Sequence, residues 1–462
     1  MHSVSKQFYI IVILIAAGIF FITGYFAFSG LYGQDAYSYL LQSKNLFTGD
    51  YHLNFYPPVY AFSGWVLQLV FQNYAVSLQL VSLIAVVVST ILVWKIVVLQ
   101  YNNERHALSF SIIIFLLSPF MLRASVLVMS DALAMMFCVA CLFFYNIKSP
   151  SSTFWIYLFF TLSILTRYAT APLLTPVLIF NLWHSIKRKQ FVYLIGGVGM
   201  MLVLLGSNFL FWSTEAGGAK HQWLHLWQIQ NFFKSSFSTP DGIQDYFLPN
   251  VLFPLKALAY PGFMPLFFIL LFFLRKGDVL NNRMLVPLLS LLIYFIFLSG
   301  IPFQNDRFLV IAYPFVALIM YPAFSRILER FKPSLLIGFM VCIVQITLAF
   351  RAVLPMYYRS IIENEIANAL EPYQGKILYS FDMDIALKGK GLNFEYRNLN
   401  DDKIANFEDG SLLLFNESKF QKQWKGMNPM LNFKFIQENC LLDHEKDFSD
   451  DWKLYLIKPK QK

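Results

Sequence analysis

Four charged residues stand where long apolar runs of this chain begin or end. Asp35 follows the first run in GQDAYSYL, Asp131 opens DALAMMF, Arg167 separates two short runs in LTRYATAPL, and Arg307 opens RFLVIAYPF. A carboxylate within hydrogen-bond reach of a hydroxyl can take its proton, and a guanidinium fork can grip phosphate oxygens bidentately. Each residue also has a plainer reading. Asp35 and Asp131 sit where an acid caps a helix and meets the positive end of its dipole, and the two arginines sit where long side chains snorkel out of a membrane. Lys44 and Arg123 either extend a phosphate site or are surface charges.

These residues need a scaffold, and composition says which kind. Of 462 residues, 57% are apolar, 18% aromatic and only 14% charged, with a mean hydropathy of +0.54, which describes a polytopic membrane protein. The first run, Phe8 to Phe28, is too long for a secretory signal core and has no small-residue cleavage site before Gly33, so it reads as a retained membrane helix. The net charge of +9 suits anionic lipid headgroups as partners, and no nucleic-acid motif is present. Cys138 and Cys141 form a CxxC inside an apolar helix, where packing is their expected role.

About 20 apolar residues cross the hydrocarbon, and that ruler predicts about eleven transmembrane helices. They lie near 8–28, 74–99, 107–122, 129–147, 153–166, 169–184, 191–212, 251–274, 284–300, 308–324 and 335–354. Lys and Arg collect in alternate short loops, at Arg105, Lys148, Lys187 to Lys189, Arg275 with Arg283, and Arg326 to Lys332. Those loops are therefore cytoplasmic, which places Asp35 and the polar tail on the extracytoplasmic side. The boundary expected between a transmembrane domain, 1–355, and a soluble domain, 356–462, is an abrupt shift to Glu, Asp, Lys and Asn. Strand-length runs KILYSF, LNFEYRNL, SLLLFN and WKLYLIK make the tail a small α/β module.

In the first outer loop, Tyr37, Leu40, Leu41, Leu46 and Phe47 recur at helical spacing, so Asp35 starts a short interfacial helix. Thr48-Gly49-Asp50 closes it, and Tyr56-Pro57-Pro58 precedes a second interfacial stretch, Val59 to Val70. His52 shares this loop with Asp35. His221 and His225, one turn apart in HQWLHLWQIQNFF, have zinc-ligand spacing without a third ligand; Trp223 and Trp227 make an interfacial helix the first reading.

This layout resembles the first outer loop of GT-C fold glycosyltransferases, integral-membrane enzymes that use polyprenyl-phosphate sugars, and is most similar to their protein mannosyltransferase and aminoarabinose transferase branch. SDALAMMF resembles a second outer acidic position of that family, LTRYATAPLLTP its "LTRP" element, and QNDRFLVIAYPFVAL the Arg-Tyr-leucine-proline start of a late span. The resemblance covers about residues 1–325. Two departures stand out: Asp35 is flanked by Gln and Ala rather than a second acid, and Tyr168 occupies a position where Pro is common.

The resemblance implies an all-α polytopic GT-C fold and transfer of a sugar from a polyprenyl-phosphate donor to a glycan, lipid or protein acceptor at the outer face, with inversion. It makes Asp35 the base, with Asp131 orienting an arginine, holding the acceptor or binding a divalent metal ion beside Asp35. Arg167, Arg307 and Lys44 would hold the donor phosphate. No other cofactor is implied, and a bacterial inner membrane is the expected location. Two other readings stay open: a flippase for lipid-linked sugars, which usually carries mid-membrane charges and repeated halves, and a non-catalytic partner subunit of the same fold.

Overall fold

The computed structural model describes residues 2–47, 56–212, 226–239, 242–331, 335–401 and 403–460. Asp50, His52, His221, Trp223 and His225 lie outside the described residues. The chain divides into two compact units. The first comprises Met1–Gly30, Gln42–Phe233 and Pro249–Leu354, the second Leu31–Leu41, Lys234–Leu248 and Pro355–Lys462.

The helices in chain order are α1 (His2–Tyr25), α2 (Gly33–Lys44), α3 (Pro58–Phe71), α4 (Tyr74–Tyr101), α5 (Glu104–Phe110), α6 (Pro119–Val126), α7 (Asp131–Ile147), α8 (Ser152–Ile164), α9 (Thr170–Lys187) and α10 (Phe191–Trp212). They are followed by α11 (Phe267–Phe273), α12 (Leu285–Gly300), α13 (Asp306–Phe331) and α14 (Leu335–Leu370). Among the described residues, five helices are long and apolar enough to cross a membrane, or six if one bent pair counts as a single span, and four shorter apolar helices accompany them. In α1, α10 and α14, large apolar side chains such as Leu14, Phe21, Leu202 and Phe339 are exposed, as on helices that face lipid. By contrast, α13 is buried almost throughout and forms the centre of the first unit.

Three expected spans take a different form, two of them for a backbone reason. The run near 107–122 passes through a π turn, Ser111–Leu116, and breaks at Ser118-Pro119 with a 66° bend. Proline has no N–H and clashes with a preceding turn, and the Ser118 hydroxyl ties the break to the Phe263 carbonyl at 2.7 Å. The run near 251–274 yields only short turns and α11, because Pro254, Pro261-Gly262 and Pro265 interrupt it. The last span continues far beyond 354: α14 has 36 residues, about 54 Å at helical rise, more than a hydrocarbon core of about 30 Å requires.

In the first unit, a staple brings the chain to the start of α7. Gln79, buried on α4, donates to the Phe28 carbonyl at 3.0 Å and to the Val126 carbonyl at 2.9 Å. Val128 N–H donates to Gly30. Gly30 has φ +75°, and a Cβ there would lie 2.4 Å from the Val126 oxygen, so only glycine fits.

The second unit is built on a five-stranded sheet. Its strands are β3 (Ile377–Ser380), β4 (Glu395–Asn398), β5 (Leu412–Phe415), β6 (Cys440–Asp447) and β7 (Lys453–Pro459), after a separate hairpin of β1 (Ser236–Thr239) and β2 (Gly242–Asp245). The sheet order is β4-β3-β5-β7-β6, parallel from β4 to β5 and antiparallel from β5 to β6. All four residues of the central strand β5 are buried, the continuous apolar run of a strand covered on both faces. Three helices complete the unit: α15 (Asp384–Gly389), α16 (Glu417–Gln423) and α17 (Asn428–Asn439). Phe433 of α17 stacks on Phe415 with ring centroids 4.1 Å apart.

Candidate active site

Asp131 is placed by interlocking hydrogen bonds. The Tyr60 hydroxyl donates to the Leu78 carbonyl at 3.0 Å and pairs with Ser82 Oγ at 2.9 Å; Ser82 in turn reaches the Met129 carbonyl at 3.3 Å. Two residues later α7 begins with Asp131 in its first turn, and the preceding Ser130 makes no side-chain cap. Arg167 lies in the tight connection from α8 to α9. Its N–H donates to the Ser163 carbonyl at 2.8 Å, and Thr170 Oγ1 donates to its carbonyl at 2.9 Å. Arg307 occupies the first turn of α13, with its N–H on Asn305 Oδ1 at 3.1 Å.

The three side chains meet. Arg167 Nη1 donates to Asp131 Oδ1, and Arg307 Nε donates to Asp131 Oδ2 at 2.8 Å. The Asp131 side chain is 4% exposed, against 15% and 14% for the arginines. Phe308 underlies the Arg167 guanidinium at 4.5 Å, and the buried Tyr294 hydroxyl holds the Phe308 carbonyl at 3.0 Å. Beside Arg307, Asp306 pairs with Lys256 at 2.5 Å. Sequence reasoning passed over Lys256, whose only signal is a lone cation in a proline-broken apolar run.

One carboxylate thus stands between two guanidinium groups. Each guanidinium carries five N–H donors, and Asp131 has two oxygens to offer. Each Asp131 oxygen takes one guanidinium, so the two forks are held beside each other at the start of α7.

Asp35 and Lys44 are placed differently. Asp35 lies in the first turn of α2, within the second unit, and is partly exposed. The first amide of that helix, Gly33 N–H, is capped at 2.8 Å by Glu363 Oε1 of α14. Glu363 is fully buried and also accepts from Arg359 Nε at 2.8 Å. Arg359 extends to Asp382 Oδ2 at 3.2 Å, and Lys419 joins the same carboxylate. Tyr37, two residues beyond Asp35, is buried against Gly389; burial, with the neighbouring Glu363 charge, pushes its phenol pKa upward. Lys44 ends α2 with an exposed side chain. Arg123 is nearly buried, with its guanidinium 3.9 Å over Phe120.

Sequence reasoning missed the Glu363–Arg359–Asp382 set, which sits in a stretch it assigned to the soluble tail. Among the described residues, no group of three or more His, Cys, Asp or Glu could hold a metal ion, and both Asp131 oxygens are occupied by arginine. These residues therefore do not fit a resident metal centre.

Comparison with known proteins places this geometry in a family context. Residues 56–212 match the family described as dolichyl-phosphate-mannose-protein mannosyltransferase, a stretch that holds Asp131 and Arg167. No curated protein matches the chain by sequence. Among solved structures, it is similar to ArnT from Cupriavidus metallidurans in the apo state, at 13% identity and TM-score 0.60 over 98% of both chains. The same enzyme bound to undecaprenyl phosphate matches at 13% identity and TM-score 0.61, over 96% of this chain and 97% of that one. The apo oligosaccharyltransferase of Archaeoglobus fulgidus matches at 12% identity and TM-score 0.51, over 99% of this chain and 74% of that one. The family match and the likeness along the full chain identify an integral membrane protein with the GT-C fold of the protein mannosyltransferase and ArnT type.

Proposed function

We propose that this protein is a glycosyltransferase that moves a sugar from a polyprenyl-phosphate donor to an acceptor at the extracytoplasmic face of a bacterial inner membrane. The observation that carries the reading is the clamp of Asp131 on Arg167 and Arg307 in a fold shared with an enzyme solved with undecaprenyl phosphate bound. Arg167 and Arg307 bind the donor phosphate, with Lys44 adding charge, and Asp131 orients both forks.

In the reaction, the acceptor oxygen or nitrogen attacks the anomeric carbon and its proton passes to the Asp35 carboxylate. The bond from anomeric carbon to phosphate oxygen breaks, and the electron pair leaves with the polyprenyl phosphate. A single displacement inverts the anomeric centre. The leaving phosphate gains negative charge as the bond breaks, so fixed guanidinium groups stabilise the transition state more than the ground state.

The test is purified protein in nanodiscs with a panel of polyprenyl-phosphate sugars and crude envelope acceptors, the product anomer being read by NMR. Transfer with inversion supports the proposal. Donor that crosses the bilayer without transfer supports a flippase, and retention of configuration excludes the single displacement.

A further inference from the structure

A second polar site lies at the other end of α7, some 25 Å from Asp131 at helical rise over its 17 residues. Here the ends of α7, α8 and α9 enclose a cleft of about 360 Å³, counting its open mouth, whose walls include Lys148, Ser152, Thr153, Asn181, His184 and Arg188. We infer that this cleft binds the phosphate headgroup of an anionic phospholipid.

Three observations converge. The first is charge: no Asp or Glu occurs between Asp131 and Glu215, a stretch that holds Lys148, Lys187, Arg188 and Lys189. Among the described residues, no carboxylate lines the cleft. The second is a buried donor. Asn181 is 7% exposed, and its Nδ2 is buried with no hydrogen-bond partner, although its Oδ1 meets Thr153 Oγ1 at 3.5 Å. A buried amide left without a partner is destabilising, and a phosphate oxygen in the cleft would satisfy it. The third is the start of α8, a 13-residue helix whose Ser152 and Thr153 line the cleft; their amides donate to the Ser149 and Pro150 carbonyls, and the positive end of the helix dipole adds to the charge there.

The surroundings make the occupant a lipid. Ile147, Trp155, Trp183 and Ile186 flank the cleft with exposed apolar surface. Tryptophan at helix ends marks the headgroup level of a bilayer, and basic pockets between membrane helices suit phospholipid headgroups. Acyl chains would lie along the outer faces of α8 and α9 with the phosphate turned inward.

The experiment is native mass spectrometry of the full-length protein in detergent, titrated with phosphatidylglycerol, phosphatidylcholine or inorganic phosphate. Phosphatidylglycerol should bind about tenfold more tightly than phosphatidylcholine, a ratio that falls close to one in Asn181→Leu, which keeps every charge, and in Lys148→Ala/Arg188→Ala, which alters only exposed groups. Lys276→Ala/Arg330→Ala, a basic pair elsewhere, should keep the preference. Equal binding of both lipids, or a preference that survives both cleft variants, overturns the proposal. Inorganic phosphate that displaces the lipid at millimolar concentration overturns the lipid assignment in favour of a free anion.

Discussion

Both units set carboxylates against arginine, and the arrangement differs. In the first, the two oxygens of Asp131 accept one from Arg167 and one from Arg307; in the second, Arg359 reaches both Glu363 and Asp382, and Lys419 joins Asp382. The second set also caps α2 through Gly33. The Glu363 set ties segments of one unit together, although Glu363 Oε2 is buried without a hydrogen-bond partner, whereas Asp131 holds two guanidinium groups side by side. Desolvation makes either kind of buried ion pair weak evidence for stability. The difference lies in what each set holds in place.

Variants can break this contrast. Arg167→Ala and Arg307→Ala should each lower kcat/KM by about 10² to 10³ with the protein still folded, while Arg359→Ala should leave kcat/KM within about threefold and lower thermal stability. Equal rate losses in the two units would end the distinction. Asp131→Ala, which removes the acceptor shared by two arginines, should cost about 3 kcal/mol of stability, read as a loss of thermal midpoint in detergent, and Asp131→Asn should recover part of it.

Acidity sharpens the contrast within the second unit. Burial of Asp384, against partial relief from Lys388, raises its pKa from 3.8 to about 6. Its protonated form is thus favoured by folding, so the contribution is full below about pH 4 and disappears as pH rises through 6. Asp384→Asn should therefore stabilise the protein by about 2 to 3 kcal/mol at pH 7.5 and leave it unchanged at pH 4, followed by tryptophan fluorescence on heating. The smallest expected effect is Gly30→Ala, about 1 to 2 kcal/mol from left-handed strain and the clash with Val126, seen as a lower thermal midpoint with the rate per folded molecule retained.

Much of this architecture can be read along the chain, because lipid and sheet cores impose local patterns. Tyr74–Tyr101 is apolar for 28 residues between Asn73, which caps it, and Asn102 in the left-handed region. The four strand-length runs of the tail become β3, β4, β5 and β7. β6 escaped because CLLDHEKD is an exposed edge strand whose charges hide any alternation. Prolines in 251–274 were visible, yet a hydropathy window averages over them. The candidate site is less legible. Each charge stands out at a helix end, but Asp131 meets Arg167 across 36 residues and Arg307 across 176, and Glu363 meets Gly33 across 330. No local pattern encodes such pairings; packing of α7, α8 and α13 does.

The most direct measurement compares sugar transfer by wild type and Asp35→Asn in nanodiscs with the same polyprenyl-phosphate donor. With Asp35 as the proposed acceptor base, the variant should lower kcat by about 10² to 10⁴, while the affinity for donor, which the proposal assigns to Arg167 and Arg307, stays within about threefold of wild type. Equal rates in both proteins would contradict the assignment of Asp35 and with it the proposed chemistry.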